Sequence, residues 1–189
     1  VLLAGKGDAR ETADGPWRPA AVKQKLPAGN FVRTGEMSQM GLLLRDRTQV
    51  KLAQLSILNI RSVNAAAPPP ATQLELPQGR AWSQAKPKAP DSSAKAPSRL
   101  NVTMPGGTAA IRGTDWELVV DKDDTSTVTV FSGEVEFYND HGRVSVLPNE
   151  QARAVPGKAP VKILLTNAAE RIQWVTSWRP LPRRWVKDL

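Results

Sequence analysis

The sequence predicts an all-β fold, and three observations carry this prediction. Apolar and polar residues alternate through most of the chain, which is the period of a strand with one buried face. The alternating runs are short and are separated by turns rich in Gly, Pro and Asp. One phrase also occurs twice, since residues 74–81 and 128–135 both alternate, place a Gly at the sixth position and then resume the alternation.

The repetition extends upstream of both copies. Residues 41–46 align with residues 116–121, and each stretch reads as a strand that ends in an Asp at a polar turn. We therefore expect a duplicated unit of short strands. A solenoid-like stack and a sandwich both produce this pattern, so the sequence leaves the two arrangements open.

The elements follow in order along one predicted domain, residues 1–165. Short strands between Gly, Pro and charged turns make up a first half, about residues 1–84. Residues 85–99 are rich in Lys, Ala, Pro and Ser and are predicted to form a flexible loop between the halves. Closely spaced strands resume over residues 100–165, where Asn139–Gly142 is typical of a tight hairpin turn.

The pattern changes in residues 166–189. Asn167 and Glu170 form a capping box, which predicts the start of a short C-terminal helix. Ala168, Ile172 and Val175 share one face of that helix, and the Pro residues from position 180 end it. We expect a Trp- and Arg-rich tail to follow the helix. Residues 166–189 together are predicted to lead into a further region that lies beyond the given sequence.

Composition narrows the functional classes. The net charge is +8, but the basic residues are dispersed, so we expect a solvated surface and no nucleic-acid partner. The chain has no Cys, which excludes a disulfide framework and thiolate metal sites. No apolar run reaches the roughly 20 residues of a transmembrane helix, and the start at Val1 predicts a processed or excised chain.

The order and spacing of several motifs resemble the FecR domain, named for the ferric-citrate transport regulator of bacterial envelopes. The resemblance covers about residues 5–156. Its most specific part is the Arg112-Gly113-Thr114 segment with Trp116, followed by Gly133 ahead of Val135. Further matching motifs are Gly7-Asp8-Ala9, Trp17-Arg18-Pro19, Leu26–Gly29, Val32–Gly35, Ser38, Leu42–Asp46, Val50–Leu52, Val102–Pro105, Val128–Val130 and Val146–Ala152.

The resemblance implies a non-catalytic, extracytoplasmic domain that acts by protein–protein contact in envelope signalling or scaffolding, in the bacterial periplasm. Envelope signalling proteins and outer-membrane receptors are the implied partner classes. Founding members of the family carry a sigma-factor-binding segment and a membrane helix ahead of this domain, and neither is present in the given sequence. Residues 170–180 resemble the segment that joins the domain to tetratricopeptide repeats in another branch of the family.

No catalytic constellation is found, so we predict that the chain is not an enzyme and needs no cofactor. His141 is the sole His and falls in a predicted turn, and Asp121, Asp123 and Asp124 lack the spacing of a calcium loop. We interpret the family residues as structural. Gly113 would permit a tight bend, with the Arg112 side chain bonded to loop carbonyls.

The tail supplies the candidate docking residues, because Trp and Arg are enriched at binding hot spots. They are Trp174, Trp178, Arg179, Arg183, Arg184 and Trp185. Packing of the helix on the β domain and contact with a membrane surface are the alternatives for this segment. A second function is an envelope carbohydrate-binding module for peptidoglycan, in which Trp82 or Trp116 would stack on a sugar.

Overall fold

The computed structural model describes residues 1–44, 48–64, 71–84, 99–112 and 114–164, and this part of the chain is all β structure. The predicted fold class is confirmed. The predicted C-terminal helix lies outside the described residues. The strands are β1 (Leu2–Ala4), β2 (Gly7–Arg10), β3 (Arg18–Pro19), β4 (Phe31–Thr34), β5 (Gln39–Leu43), β6 (Gln49–Leu52), β7 (Ile57–Asn64), β8 (Ala71–Gln84), β9 (Arg99–Met104), β10 (Gly107–Ile111), β11 (Asp115–Val120), β12 (Ser126–Ser132), β13 (Val135–Asn139), β14 (Gly142–Val146), β15 (Glu150–Ala154) and β16 (Val161–Leu164).

The strands form two layers, and the long strand β8 belongs to both. Sheet I has the order β1-β5-β6-β8-β11-β12-β15-β16, and sheet II has the order β3-β2-β4-β7-β8-β9-β10-β13-β14. The N-terminal part of β8 pairs in sheet II and its C-terminal part pairs in sheet I. All pairings are antiparallel except that between β8 and β9.

Strand order in both sheets follows the chain, apart from an exchange of β2 and β3. Successive strand pairs alternate between the layers, so β9 and β10 lie in sheet II, β11 and β12 in sheet I, and β13 and β14 in sheet II again. The chain therefore advances along a two-layered body by adding hairpins to alternate sheets. The architecture combines the two layers of a sandwich with the stepwise progress of a solenoid.

The two Gly residues of the repeated phrase lie where the chain passes between the layers. Gly79 has a φ of +93° and Gly133 a φ of +78°, in the left-handed region that favours Gly. At Gly79 the chain passes from sheet II to sheet I, whereas at Gly133 it passes from sheet I to sheet II. The two Gly residues thus share a backbone conformation, but the chain crosses between the sheets in opposite directions at the two positions. The duplication of a strand unit stays a prediction.

One hydrophobic cluster fills the space between the layers. Sheet I contributes residues such as Leu52, Trp116 and Val130, and sheet II contributes Leu74 and Phe137. These positions alternate with outward-facing ones along each strand, as the period of two requires. The shared core makes the two layers one packing unit.

The predicted hairpin at Asn139–Gly142 is confirmed. β13 and β14 pair from Val135↔Val146 to Asn139↔Gly142, and the Asn139 side chain accepts a hydrogen bond from the His141 amide at 2.9 Å. The predicted loop 85–99 falls outside the described residues except for Arg99, which opens β9. Its role as a linker between two halves stays a prediction.

Candidate docking surface

The residues that carry the family resemblance lie where the chain crosses between sheets. Thr114 is buried, and its hydroxyl lies 3.0 Å from the Arg112 carbonyl and 3.1 Å from the Glu134 carbonyl. It therefore holds the β10–β11 crossing against the β12–β13 crossing, and Gly133 packs beside it. Trp116 lies in the core, and Gly113 is outside the described residues.

A second threonine makes a similar contact in the first half of the chain. The Thr34 hydroxyl donates to the Ala53 carbonyl at 2.6 Å and accepts from the Ser56 amide at 3.0 Å. It joins the end of β4 to the crossing between β6 and β7. Buried hydroxyls thus tie neighbouring crossings together in both halves.

Replacing Thr114 with Val should lower the free energy of unfolding by about 1–3 kcal/mol, because two carbonyl contacts of a buried hydroxyl are lost while the side-chain volume is kept. Urea unfolding followed by circular dichroism measures the change. Thr103→Val is the matched control, since Thr103 is exposed on β9 and should change stability by less than about 0.5 kcal/mol. Equal losses for the two variants would contradict the structural role of Thr114.

Arg112 also opens a shallow polar groove on the outer face of sheet II. The groove crosses β9, β10, β13 and β14 and encloses about 240 Å³. Its lining residues are Asn101, Ala110, Ile111, Arg112, Glu136, Tyr138 and Arg143. We call this set the sheet II groove.

The charges of the sheet II groove favour an acidic ligand. Arg143 lies 3.3 Å from Glu136, in an exposed ion pair that contributes little to stability. Arg112 is exposed and has no ion pair within the described residues. The groove lining therefore presents two guanidinium groups and one carboxylate, with the Tyr138 ring and the Asn101 amide beside them. A second carboxylate, that of Glu134, is bonded to the Ser145 hydroxyl on β14.

The groove reaches an open edge of sheet II. In the described part of the chain, β14 pairs with β13 alone. Ala159 lies against Gly142 at the start of β14, and the remainder of this edge has no strand partner within the described residues. A strand added there would lie next to Arg143 of the groove. Edge pairing and side-chain recognition can thus act together at this end of the molecule.

The corresponding edge of sheet I is β16, and it has a different character. Val161, Ile163 and Leu164 are exposed along it. Lys162 holds the strand to β15 through Glu150 at 2.8 Å, and this hydrogen bond, with one from the Leu147 amide, lowers the pKa of Glu150. The β16 edge is apolar and leads directly into residues 165–189.

The residues considered for catalysis or calcium binding lie in turns, as expected. His141 lies between β13 and β14, and the Asp124 amide bonds the Asp121 carbonyl at 3.0 Å between β11 and β12. Within the described ranges no three acidic or His side chains are grouped to hold a metal ion. Nor does the described part contain a helix with the length and hydrophobicity to cross a membrane.

The predicted docking residues Trp174, Trp178, Arg179, Arg183, Arg184 and Trp185 lie outside the described residues. The aromatic pair predicted for sugar stacking lies within them and is buried, with Trp116 1% and Trp82 7% exposed. Neither ring presents a face to a ligand in this structure.

Sequence reasoning singled out Arg112 but not its partners in the sheet II groove. Glu136, Tyr138 and Arg143 were expected on strands of one hairpin, and Asn101 and Ala110 on strands 25 or more residues earlier. Pairing of β10 with β13 brings the two groups together. Only the hairpin of β13 and β14 has a signal in the sequence. The sequence alone therefore does not predict that these residues line one groove.

Comparison with known proteins gives one family and two solved structures of similar fold. The family model described as FecR protein matches residues 30–136, which is more than half of the chain. No curated protein matches the chain. Two crystal structures of a candidate anti-sigma factor from Parabacteroides distasonis ATCC 8503 are similar in fold, each at 17% identity.

The extent of the structural similarity is comparable in both cases. The first has a TM-score of 0.62 and the match covers 78% of this chain and 65% of that chain. The second has a TM-score of 0.61, with 82% of this chain and 70% of that chain covered. The chain thus spans about two thirds of the length of these structures, and the likeness concerns the fold.

Proposed function

The chain belongs to the FecR protein family, and on that premise we propose that it is a non-catalytic, extracytoplasmic module that mediates protein–protein contact in bacterial envelope signalling or scaffolding. The docking surface is the open edge of β14 together with the sheet II groove. The observation that carries this assignment is that a strand edge with no strand partner among the described residues meets a polar groove lined by Arg112 and Arg143.

Two lines support a regulatory rather than a catalytic role. The family is a regulatory one, and the two similar structures are described as a candidate anti-sigma factor, a class that acts by binding another protein. Extracytoplasmic placement rests on the family resemblance, and the identity of the partner is open.

The proposed contact has two components. A strand of the partner pairs with β14, which supplies main-chain hydrogen bonds that do not depend on sequence. Acidic side chains of the partner then bind Arg112 and Arg143, which supplies specificity and steers association. The tail residues predicted for docking, Trp174 to Trp185, are a second surface that the same partner could use.

The carbohydrate-binding alternative has weaker support. It required an exposed Trp82 or Trp116, and both indole rings are buried. Trp17 is half-buried, but the guanidinium groups of Arg10 and Arg33 lie over its ring at 4.4 and 4.5 Å. A basic surface could still attract an anionic glycan, so this function is kept as an outcome of the test below.

Site-specific photocrosslinking in the source bacterium tests the proposal on the full chain. A crosslinking residue in place of Ser145, on β14 beside the groove, should capture one defined protein. The same residue in place of Lys122, an exposed turn position on the side of sheet I, should not capture it. Adding Arg112→Glu should reduce capture from position 145 at least tenfold, because the new carboxylate repels an acidic partner.

Three results would count against the proposal. Capture of cell-wall glycan from position 145 would favour the carbohydrate-binding alternative. If Arg112→Glu leaves capture from position 145 unchanged, as the control Lys122→Glu should, the groove is not part of the docking surface. Resistance of the protein to protease added to spheroplasts would contradict the extracytoplasmic placement.

A further inference from the structure

The two outer faces of the molecule differ in how much solvent they meet. On the outer face of sheet II, Thr103, Glu136 and Arg143 are exposed, as expected for the polar face of a two-layered β protein. On the outer face of sheet I, the central polar side chains are buried. Asn59 is also buried on the outer face of sheet II, where its amide donates to the Glu75 carboxylate at 3.0 Å. On sheet I the buried side chains instead lie next to one another on adjacent strands.

The buried side chains of sheet I form one row across adjacent strands. Register pairs connect Trp82 to Glu117, Glu117 to Thr129, and Thr129 to Gln151. Their exposed fractions are 7%, 1%, 1% and 8%, respectively. We call these four residues the sheet I row.

The sheet I row faces away from the core. Its neighbours along each strand, among them Ala81, Leu118, Val130 and Ala152, belong to the core cluster, whereas Trp82 does not although it is buried. Alternation then places the row on the opposite side of the sheet. The strands packed closely on β8, β11, β12 and β15 are in-plane neighbours or, in the case of β14, part of the core-side layer.

The Trp82 ring gives the row a large apolar surface, which its cover must match. Trp82 brings a large ring, and its indole nitrogen is a buried donor with no hydrogen-bond partner among the described residues. Glu117 brings a buried carboxylate to the row, with the Arg80 Nε at 3.7 Å. At the end of the row, Lys51 lies 4.9 Å from the Trp82 ring, and burial lowers the pKa of this lysine.

Two segments outside the described residues leave from sheet I and are long enough to cover it. Residues 85–98 follow β8, and residues 165–189 follow β16. The first contains Ala, Lys, Pro, Ser and Asp but no Leu, Ile, Val, Met or aromatic residue, so it offers no large apolar surface to Trp82. The second contains Ile172, Val175 and three Trp residues, with several Arg among them.

We infer that residues 166–178 pack as an amphipathic helix across the outer face of sheet I and cover the sheet I row. Ala168, Ile172 and Val175 face the sheet. The occupant is thus a segment of this same chain, which returns over the sheet directly from its edge strand β16. The inference rests on the burial of the row and does not depend on the proposed function.

The dimensions agree with this placement. From Trp82 to Gln151 the row crosses three strand spacings of about 4.8 Å, or roughly 14 Å. Residues 167–178 form a helix of about 18 Å at a rise of 1.5 Å per residue. The segment therefore spans the row with about 4 Å to spare, which is less than one helical turn. The side chains of β16 remain exposed at the edge.

A consequence concerns where partners can bind. With the helix in place, the outer face of sheet I is occupied, and the outer face of sheet II is the open one. The face bearing Ile172 and Val175 is unavailable to a partner, whereas the Arg-rich residues after Pro182 are not needed for the cover.

Thiol labelling of the full chain tests the inference, because the protein has no native Cys. Thr129→Cys places a thiol in the middle of the row and should react slowly with a water-soluble maleimide. Adding Ile172→Asp and Val175→Asp, on the face that meets the sheet, should raise the labelling rate at least tenfold. The matched pair Gln173→Asp and Ser177→Asp, on the other side of the helix, should leave the rate unchanged.

Further variants keep the test decisive. Ser145→Cys, exposed on sheet II, should label rapidly in every background, and circular dichroism should show the same β content throughout. If Thr129→Cys does not fold, Gln151→Cys reports on the same row. The inference is overturned if labelling of Thr129→Cys stays slow after Ile172→Asp and Val175→Asp are added. It is also overturned if replacing residues 86–97 with an equally long Gly-Ser segment speeds the labelling instead.

Discussion

Replacing Trp116 with Ala is expected to lower the free energy of unfolding by about 3–5 kcal/mol, the usual cost of removing a large aromatic ring from a core. The indole is 1% exposed and belongs to the cluster shared by both sheets. Its strand lies between β8 and β12, with Ser83 and Val130 as register partners. Because domains of this size have a total stability of about 5–15 kcal/mol, the variant should lose a large share of its free energy of unfolding.

Trp17→Ala is the matched control for this variant. Trp17 is half-buried outside the core, where Arg10 and Arg33 lie over its ring, so its loss should cost about 1–2 kcal/mol. Urea unfolding monitored by far-ultraviolet circular dichroism avoids interference from the other Trp residues. A smaller loss for Trp116→Ala than for Trp17→Ala would contradict the placement of Trp116 in the shared core.

Alternation and turn residues predicted the class of the fold because both are local signals. The hairpin at Asn139–Gly142 was recognised from four turn residues between two alternating strands, and it forms as expected. No local sequence signal distinguishes a sandwich from a solenoid. The choice depends on the parallel pairing of β8 with β9 and on the layer that each hairpin joins, and neither leaves a periodic mark in the sequence.

The side of a sheet on which a residue lies is also poorly determined by its strand pattern alone. Trp82 and Trp116 were both expected on alternating strands, yet Trp116 points into the core and Trp82 points away from it. Glu117 and Thr129 occupy polar positions that normally meet water, but they are buried. Alternation identifies the outward residues, whereas what covers them depends on the path of distant segments.

The candidate site shows the same division. Arg112 was singled out by its motif, and the structure adds an exposed position at the end of the sheet II groove. Glu136, Tyr138 and Arg143 have no feature that separates them from other outward strand residues. Their proximity to Arg112 follows from the pairing of β10 with β13, which joins residues about 25 positions apart.

Gly79→Ala should be the most destabilising single-methyl change at a sheet crossing, with an expected cost of about 2–5 kcal/mol. Gly79 has a φ of +93°, which costs an L-residue about 1–2 kcal/mol. An added Cβ would also lie 2.5 Å from the Ser56 Cα, a backbone atom that cannot rotate away. Relief of this clash must shift the crossing between β6 and β7, and overpacking of this kind costs a further 1–3 kcal/mol or so.

Gly157→Ala separates the two contributions, because Gly157 has a φ of +77° but no atom within 4 Å of an added Cβ. Its cost should therefore be limited to the conformational part, about 1–2 kcal/mol. The difference between the two variants in urea unfolding measures the contact between Gly79 and Ser56. Since the Ser56 hydroxyl also accepts a hydrogen bond from the Arg80 amide at 2.9 Å, Gly79→Ala should speed hydrogen exchange at Arg80, whereas Gly157→Ala should not. Equal destabilisation by the two variants, with the Arg80 amide still protected, would contradict the contact between Gly79 in β8 and Ser56 in the crossing from β6 to β7. In that case other contacts hold β8 between the sheets.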